Sequence, residues 1–248
     1  MDTKKEYRVL NEFLDTIAAH CRSELTPVEP TEDFPVMLHI SKDKTIKEFI
    51  PAVSHRTVKK EDRSIPRICV APHLFGCFVG YSSAYSEFYT DPEKKVWHGG
   101  YYIYALPFTL AVEPSKKLLP DVANTDERWL VGYDETHRNI KPTIVGKCFI
   151  YALNLVGAGE ARRVDVTIYL EFKESDLSSG LHLDELAFDS EHSLKKGYYR
   201  IEICDNRDPV FWNRESISIT QIPKVEYERA KNVTAGLLSF ENAPSSTW

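Results

Sequence analysis

The chain has 248 residues, of which 42% are hydrophobic and 27% charged, with a formal net charge of −6 at pH 7. That length and apolar content allow a full core, as one large domain or two small ones, and are too apolar for a disordered chain. The acidic balance tells against a general phosphate-backbone binder, which works through clustered Lys and Arg, although a local basic groove stays open.

The opening MDTKKEYRVLNEF carries charges with no apolar stretch after them, unlike a secretory signal. No run approaches the 18 or so apolar residues of a membrane span. Five cysteines (Cys21, Cys69, Cys77, Cys148, Cys204) are scattered without a CxxC pair, a spacing that suits neither a disulfide framework nor a zinc site. The expectation is a reduced, cytoplasmic chain with no membrane contact and no metal, in which each cysteine is a small core residue.

In chain order, Leu10, Phe13, Leu14, Ile17, Ala18 and Cys21 recur at helical spacing and predict one amphipathic helix. SELTPVEPTEDFP stops it with prolines. Val36 to Ile40 reads as a core strand that delivers His39 and Ser41 to its end. Thr45 to Ile50 reads as a short helix or turn with Ile46, Phe49 and Ile50 inward, and Ser54 to Ser64 as an exposed loop. Ile68 to Ala71 is a second buried strand, and Arg67 precedes it. Pro72 then opens a small-residue helix in which Gly76 and Gly80 permit close packing. His98–Gly99–Gly100 reads as a turn, and 101–108, 128–132 and 143–153 read as strands.

The last third is largely strand, over 164–172, 197–204 and 216–223, with a turn or short helix in LSSGLHLDELAF and a loose tail from Asn242. VGAGEARR, around Gly157 and Gly159, reads as a hairpin turn between two strands. No repeat, low-complexity block or composition break marks a linker. The chain is therefore read as a single α+β unit: 1–34 an N-terminal helix and connector, 35–152 the core, and 153–248 an appended strand-rich region.

Dinucleotide, P-loop, metalloprotease, nucleophile-elbow and calcium-loop signatures are absent. The order of LHIS (38–41), RICVAPHLFGCFVGYSS (67–83), YYIYAL (101–106), TDERWLVG (125–132) and IKPTIVGKCFIY (140–151) resembles the ADP-ribosyltransferase fold, in its diphtheria-toxin-like branch and relatives such as RNA 2′-phosphotransferases. That resemblance implies a split antiparallel sheet core over about 35–152 and NAD as the substrate. By the same resemblance, His39 hydrogen-bonds the ribose of NAD and Ser41 supports the site. Tyr81 or Tyr85 stacks on the nicotinamide ring, a contact that suits a planar cation. Glu127 is the catalytic carboxylate, stabilising the oxocarbenium-like transition state as nicotinamide leaves. Glu113, Asp126 and Glu135 lie close enough to compete for that role. The family's aromatic residue in the strand before the helix is replaced here by Cys69 and Val70, and Arg67 is not a family requirement, although a guanidinium there suits a pyrophosphate.

Each of these residues also has a structural reading: His39 as a buried strand histidine, Arg67 as a strand-start surface charge, Glu127 as a solvated loop acid. Two functions follow. One is an NAD-dependent mono-ADP-ribosyltransferase, or a glycohydrolase if water is the acceptor, acting on a macromolecule, with a protein target favoured and a nucleic acid open. The other is a non-catalytic nucleotide- or protein-binding module that sequesters or blocks a partner.

Overall fold

A computed structural model describes residues 3–53, 60–80, 96–132, 140–155, 163–203 and 216–241. Two helices come first, α1 (Thr3–Leu14) and α2 (Ala19–Arg22). Strands β1 (Leu25–Val28), β2 (Val36–Ser41) and β3 (Ile68–Val70) follow, then helix α3 (Leu74–Gly80). Next are β4 (Val96–Pro107), β5 (Ala111–Pro114), the single-turn α4 (Val122–Thr125) and β6 (Arg128–Leu130). The long strands β7 (Thr143–Leu155) and β8 (Arg163–Phe172) pair as antiparallel neighbours up to Leu155 and Arg163. Residues 156–162, which hold Gly157 and Gly159 of the predicted hairpin turn, lie outside the described residues. Two small hairpins follow, β9 (Ser175–Asp176) with β10 (His182–Leu183) and β11 (Glu185–Ala187) with β12 (Ser193–Lys195). The last elements are β13 (Gly197–Ile203), β14 (Ile217–Ile222) and helix α5 (Lys224–Glu241).

The strands make a six-stranded antiparallel sheet, β14-β13-β8-β7-β4-β2, and a four-stranded one, β1-β5-β6-β3. The chain is thus α+β, with antiparallel sheets and few helices. The last third does not form a sheet of its own: β8, β13 and β14 extend the one begun by β2, β4 and β7.

Period-two alternation explains how the layers assemble. On one face of the large sheet, Val36, Leu38 and Ile40 of β2 join Tyr101, Ile103 and Ala105 of β4 in a core closed by α3 and the hairpins. On the opposite face, Met37, Tyr104 and Leu106 meet Ile68, Val70 and Leu130 of the small sheet, which binds the two sheets together. The far side of the small sheet is covered by α1 and α2, through Leu10, Leu14 and Cys21 around Trp129. Helix α5 packs on β7, β8 and β13, where its buried Tyr227 meets Phe149 and Tyr198. Among the described residues no helix is long and apolar enough to cross a membrane.

Several sequence expectations are corrected. The 10–21 stripe is two helices, not one. Thr16 donates its amide (2.9 Å) and its hydroxyl (2.6 Å) to the Phe13 carbonyl, which occupies the acceptor that a continuing α-helix needs. The predicted turn at His98–Gly100 is strand, paired with Tyr151, Ile150 and Phe149 of β7. Ile50 is 53% exposed rather than inward. The 177–188 turn or helix is occupied by the short hairpins. Helix α5 has no counterpart in the sequence reading.

Close packing at α3 comes from Gly76 and not from Gly80. A Cβ on Gly76 would lie 2.4 Å from the Thr125 carbonyl and 3.0 Å from the Ala71 Cβ, whereas one on Gly80 would meet none of the described residues within 4 Å. Gly76→Ala should therefore lower the urea-unfolding free energy by roughly 1–3 kcal/mol through overpacking, while Gly80→Ala should be neutral or stabilising by up to ~1 kcal/mol. Equal behaviour of the two variants would contradict the packing described.

Candidate functional site

Strands β2 and β3 touch at one residue pair and then part into different sheets. Leu38 N–H donates to the Ala71 carbonyl (2.7 Å) and Ala71 N–H to the Leu38 carbonyl (3.0 Å). The wedge where they diverge holds a cavity of about 90 Å³. Leu38, His39 and Ile40 line it from β2, and Cys69, Val70 and Ala71 from β3 and its end. Gly76, Cys77 and Gly80 line it from α3, and Glu127 from the segment before β6. Two residues singled out by sequence, His39 and Glu127, are thus brought to one cavity from distant parts of the chain.

His39 bridges the wedge. Its Nδ1 lies 2.9 Å from the Cys69 carbonyl oxygen. A carbonyl only accepts, so Nδ1 carries the proton and, in the neutral ring, Nε2 carries the lone pair. Burial pushes the imidazole pKa down, against the opposing effect of the carbonyl bond, so the ring is neutral at neutral pH. Its edge packs on Phe49, with centroids 4.8 Å apart, and Phe49 packs in turn on Tyr104. A neutral imidazole held on both sides can accept a hydrogen bond from a ligand hydroxyl.

Glu127 accepts a 2.7 Å hydrogen bond from the Trp129 indole N–H. Burial raises its carboxyl pKa; bonds from Cys69 and Trp129 oppose this, Glu61 adds to it, and Arg67 counters. A carboxyl whose pKa is raised by burial keeps its proton to higher pH than an exposed glutamate does. Its backbone is set by Asp126, which occupies the left-handed region at φ 49°, a conformation uncommon for a residue other than Gly. The Asp126 carboxylate is held 2.8 Å from Nε2 of the buried His73. The Gly76 amide donates to His73 Nδ1 at 3.0 Å, so Nδ1 is the bare nitrogen and Nε2–H points to Asp126. His73 and Asp126, which sequence reasoning passed over or held only as a competitor, pair with each other, and Asp126 directly precedes Glu127 in the chain. Pro72-His73 had only a helix-start signal, and nothing local pointed to its partner 53 residues on.

The other predicted residues fall elsewhere. Arg67 is 3% exposed and does not line the cavity. Its guanidinium pairs with Glu61, donates to the Ile65 and Asp62 carbonyls at 3.0 and 3.2 Å, and lies 4.1 Å over the Trp129 ring. These partners hold the end of the guanidinium, while its buried Nε has no hydrogen-bond partner among the described residues; Arg67 is therefore a buried ion-paired residue rather than a surface charge. Ser41 sits at the end of β2, outside the cavity lining, where its hydroxyl accepts from the Asp43 amide at 3.2 Å. Tyr81 and Tyr85 lie outside the described residues, as does Glu135. Glu113 is paired with Arg128 at 3.1 Å.

Cys69 and Cys77 are lining residues to which the sequence reading gave no role beyond packing. Burial pushes the Cys77 thiol up to about 12 and raises Cys69 well above the ordinary thiol range, with the Glu127 charge adding to the latter. Neither supplies a thiolate nucleophile. As described, the cavity is smaller than the roughly 300–1,000 Å³ of typical ligand pockets. It fits a fragment such as one sugar or one small ring, and among the described residues no guanidinium lines it to meet a pyrophosphate. No family model, curated protein or solved structure matches the chain.

Two outcomes follow. A carboxyl whose pKa is raised on folding stabilises the fold fully below its unfolded value and loses that contribution as pH climbs through the folded value. Glu127→Gln keeps the shape and removes the titration, so it should melt above wild type at alkaline pH and level with it below the ordinary Glu value of 4.5. Parallel melting curves across that range would mean that Glu127 ionises freely. Glu61→Gln strands the buried Arg67 charge and should cost about 3–5 kcal/mol in urea unfolding, a loss that a solvated pair would not show.

Proposed function

We propose that the wedge between the two sheets is the substrate cleft of an ADP-ribosyltransferase-like core over residues 35–152. On this reading the chain consumes NAD, as a mono-ADP-ribosyltransferase on a macromolecular target, a protein in the first instance, or as a glycohydrolase with water as acceptor. The observation that carries it is the meeting of His39 and Glu127 in one cavity where β2 and β3 split. The motif resemblance assigns the same two residues to the NAD site.

In this function His39, neutral and protonated on Nδ1, accepts a ribose hydroxyl at Nε2. Glu127 in its ionised form faces the ribose carbon and stabilises the positive charge that grows there as nicotinamide departs. The Trp129 indole bond holds that carboxylate in place.

A second reading has its own support. The small cavity and the pairing of Arg67 with Glu61 away from it fit a module that binds a nucleotide, or part of one, without turning it over.

Nicotinamide release from NAD, measured alongside NAD binding, separates the two. Turnover by wild type that falls by about 10²–10³ in Glu127→Gln, with His39→Ala losing chiefly affinity, supports the enzyme. Saturable binding without release supports the module. An absence of both overturns the NAD assignment.

A further inference from the structure

Away from the cleft, three side chains of different chemistry converge where the N-terminal helices meet the segment leading into β3. They are His20 and Cys21 of α2, and Asp62. The His20 Nε2 lies 3.3 Å from the Cys21 sulfur, and that sulfur lies 3.9 Å from Asp62 Oδ2. All three donor atoms fall within 4.8 Å of one another. We propose that His20, Cys21 and Asp62 form a zinc site that clips α2 to the segment before β3.

The donor geometry is close to what the ion requires. Zinc bonds of about 2.0–2.1 Å to nitrogen, 2.3 Å to sulfur and 2.0–2.2 Å to oxygen, in a tetrahedron, place donor atoms roughly 3.2–3.6 Å apart. The nitrogen–sulfur edge already has that length, the sulfur–oxygen edge is longer by a few tenths of an ångström, and the nitrogen–oxygen edge is no longer than 4.8 Å. His20 is exposed and Asp62 half-buried, so small side-chain rotations close the difference while the buried Cys21 stays fixed.

The chemistry selects the metal. One thiolate, one imidazole and one carboxylate form a mixed S, N, O set, whereas calcium and magnesium take oxygen ligands alone. Thiolate and carboxylate together neutralise a dication, which suits a half-buried place. Without a metal, the thiol has a single proton to place between a nitrogen and a carboxylate oxygen. On binding, that proton leaves to solvent and the sulfur–metal bond replaces the S–H bond. The carboxylate is also held from behind. Ser64 donates its amide (2.8 Å) and its hydroxyl (2.7 Å) to Asp62 Oδ1, and the Asp62 amide donates to the Leu118 carbonyl at 2.8 Å. This fixes the carboxylate with Oδ2 toward the sulfur, as outer-shell partners of metal ligands do. With three protein ligands, water takes the fourth position beside the exposed imidazole. The clip joins residues 41 apart in sequence.

The test uses the full chain, stripped with chelator and titrated with Zn²⁺ against a chromogenic competitor, and separately with Co²⁺ followed by absorption. A single saturable equivalent is expected, with a thiolate-to-cobalt charge-transfer band and tetrahedral d–d bands, and Zn²⁺ should raise the melting temperature. His20→Ala, Cys21→Ser and Asp62→Asn should each weaken Zn²⁺ binding about tenfold or more, and Cys21→Ser should abolish the charge-transfer band. His20→Ala alters an exposed side chain and should melt with wild type in chelator, so its loss of binding is not a loss of fold. No saturable binding at micromolar metal, a cobalt complex without the thiolate band, or unchanged affinity in His20→Ala and Asp62→Asn would each overturn the site.

Discussion

Everything around the cavity depends on β2 and β3 being hydrogen-bonded through Leu38 and Ala71 and then diverging. Two backbone bonds contribute only about 1 kcal/mol each net, far too little to hold two sheets together. The holding force is the apolar layer between them, in which Met37, Tyr104, Leu106, Ile68, Val70 and Leu130 are each under 5% exposed. A fully buried side chain of this kind contributes roughly 1.5–3 kcal/mol, so packing stabilises the assembly and the Leu38–Ala71 pair sets its register. Beyond that pair, the Cys69 carbonyl has no partner on the β2 backbone, and the His39 ring satisfies it. His39 is therefore a structural histidine that also lines the cavity: Nδ1 completes the backbone accounting, and Nε2 is not needed for it.

A second line of interaction runs from the cavity into the core under α1 and α2. Glu127 bonds the indole of Trp129, the Trp129 ring carries the Arg67 guanidinium, and Arg67 pairs with Glu61. A guanidinium without exposure is tolerable only because a carboxylate, two carbonyls and an aromatic face surround it. The consequence reaches the cleft, since Glu127 feels the opposing charges of Glu61 and Arg67 and keeps its raised pKa chiefly from burial. Asp62 follows Glu61 directly in the chain. Anything that fixes Asp62 also fixes the segment that sets the electrostatics behind the cleft acid.

The strands were readable wherever alternation or β-branched runs met a single core, as in β2, β7, β8, β13 and β14. The reading failed where long-range partners decide local structure. His98–Gly100 has turn chemistry, yet β7 pairs with all three residues and the Phe149 ring comes to 3.3–3.4 Å of where a Gly100 Cβ would sit. Helix α5 offers little apolar periodicity at its start: Tyr227 is buried while Val225 is 66% exposed. At the site, His39 and Glu127 were legible through short motifs. The fate of Arg67 was not, because its partners Glu61 and Trp129 are assembled by the fold, and a strand-start arginine reads locally as a surface charge or an anion anchor.

The lining also constrains what chemistry the cleft supports. Burial disables both cysteine thiols as nucleophiles, and His39 uses one nitrogen to tie the strands together. Among the described lining residues, Glu127 is then the one with proton or charge chemistry to offer; it is held by its indole bond and follows the left-handed Asp126. A cleft of this composition stabilises developing positive charge better than it attacks a carbon centre. On the proposed transferase reading, the acceptor is a nucleophile that arrives from outside the described lining, as water or as a side chain or base of a target.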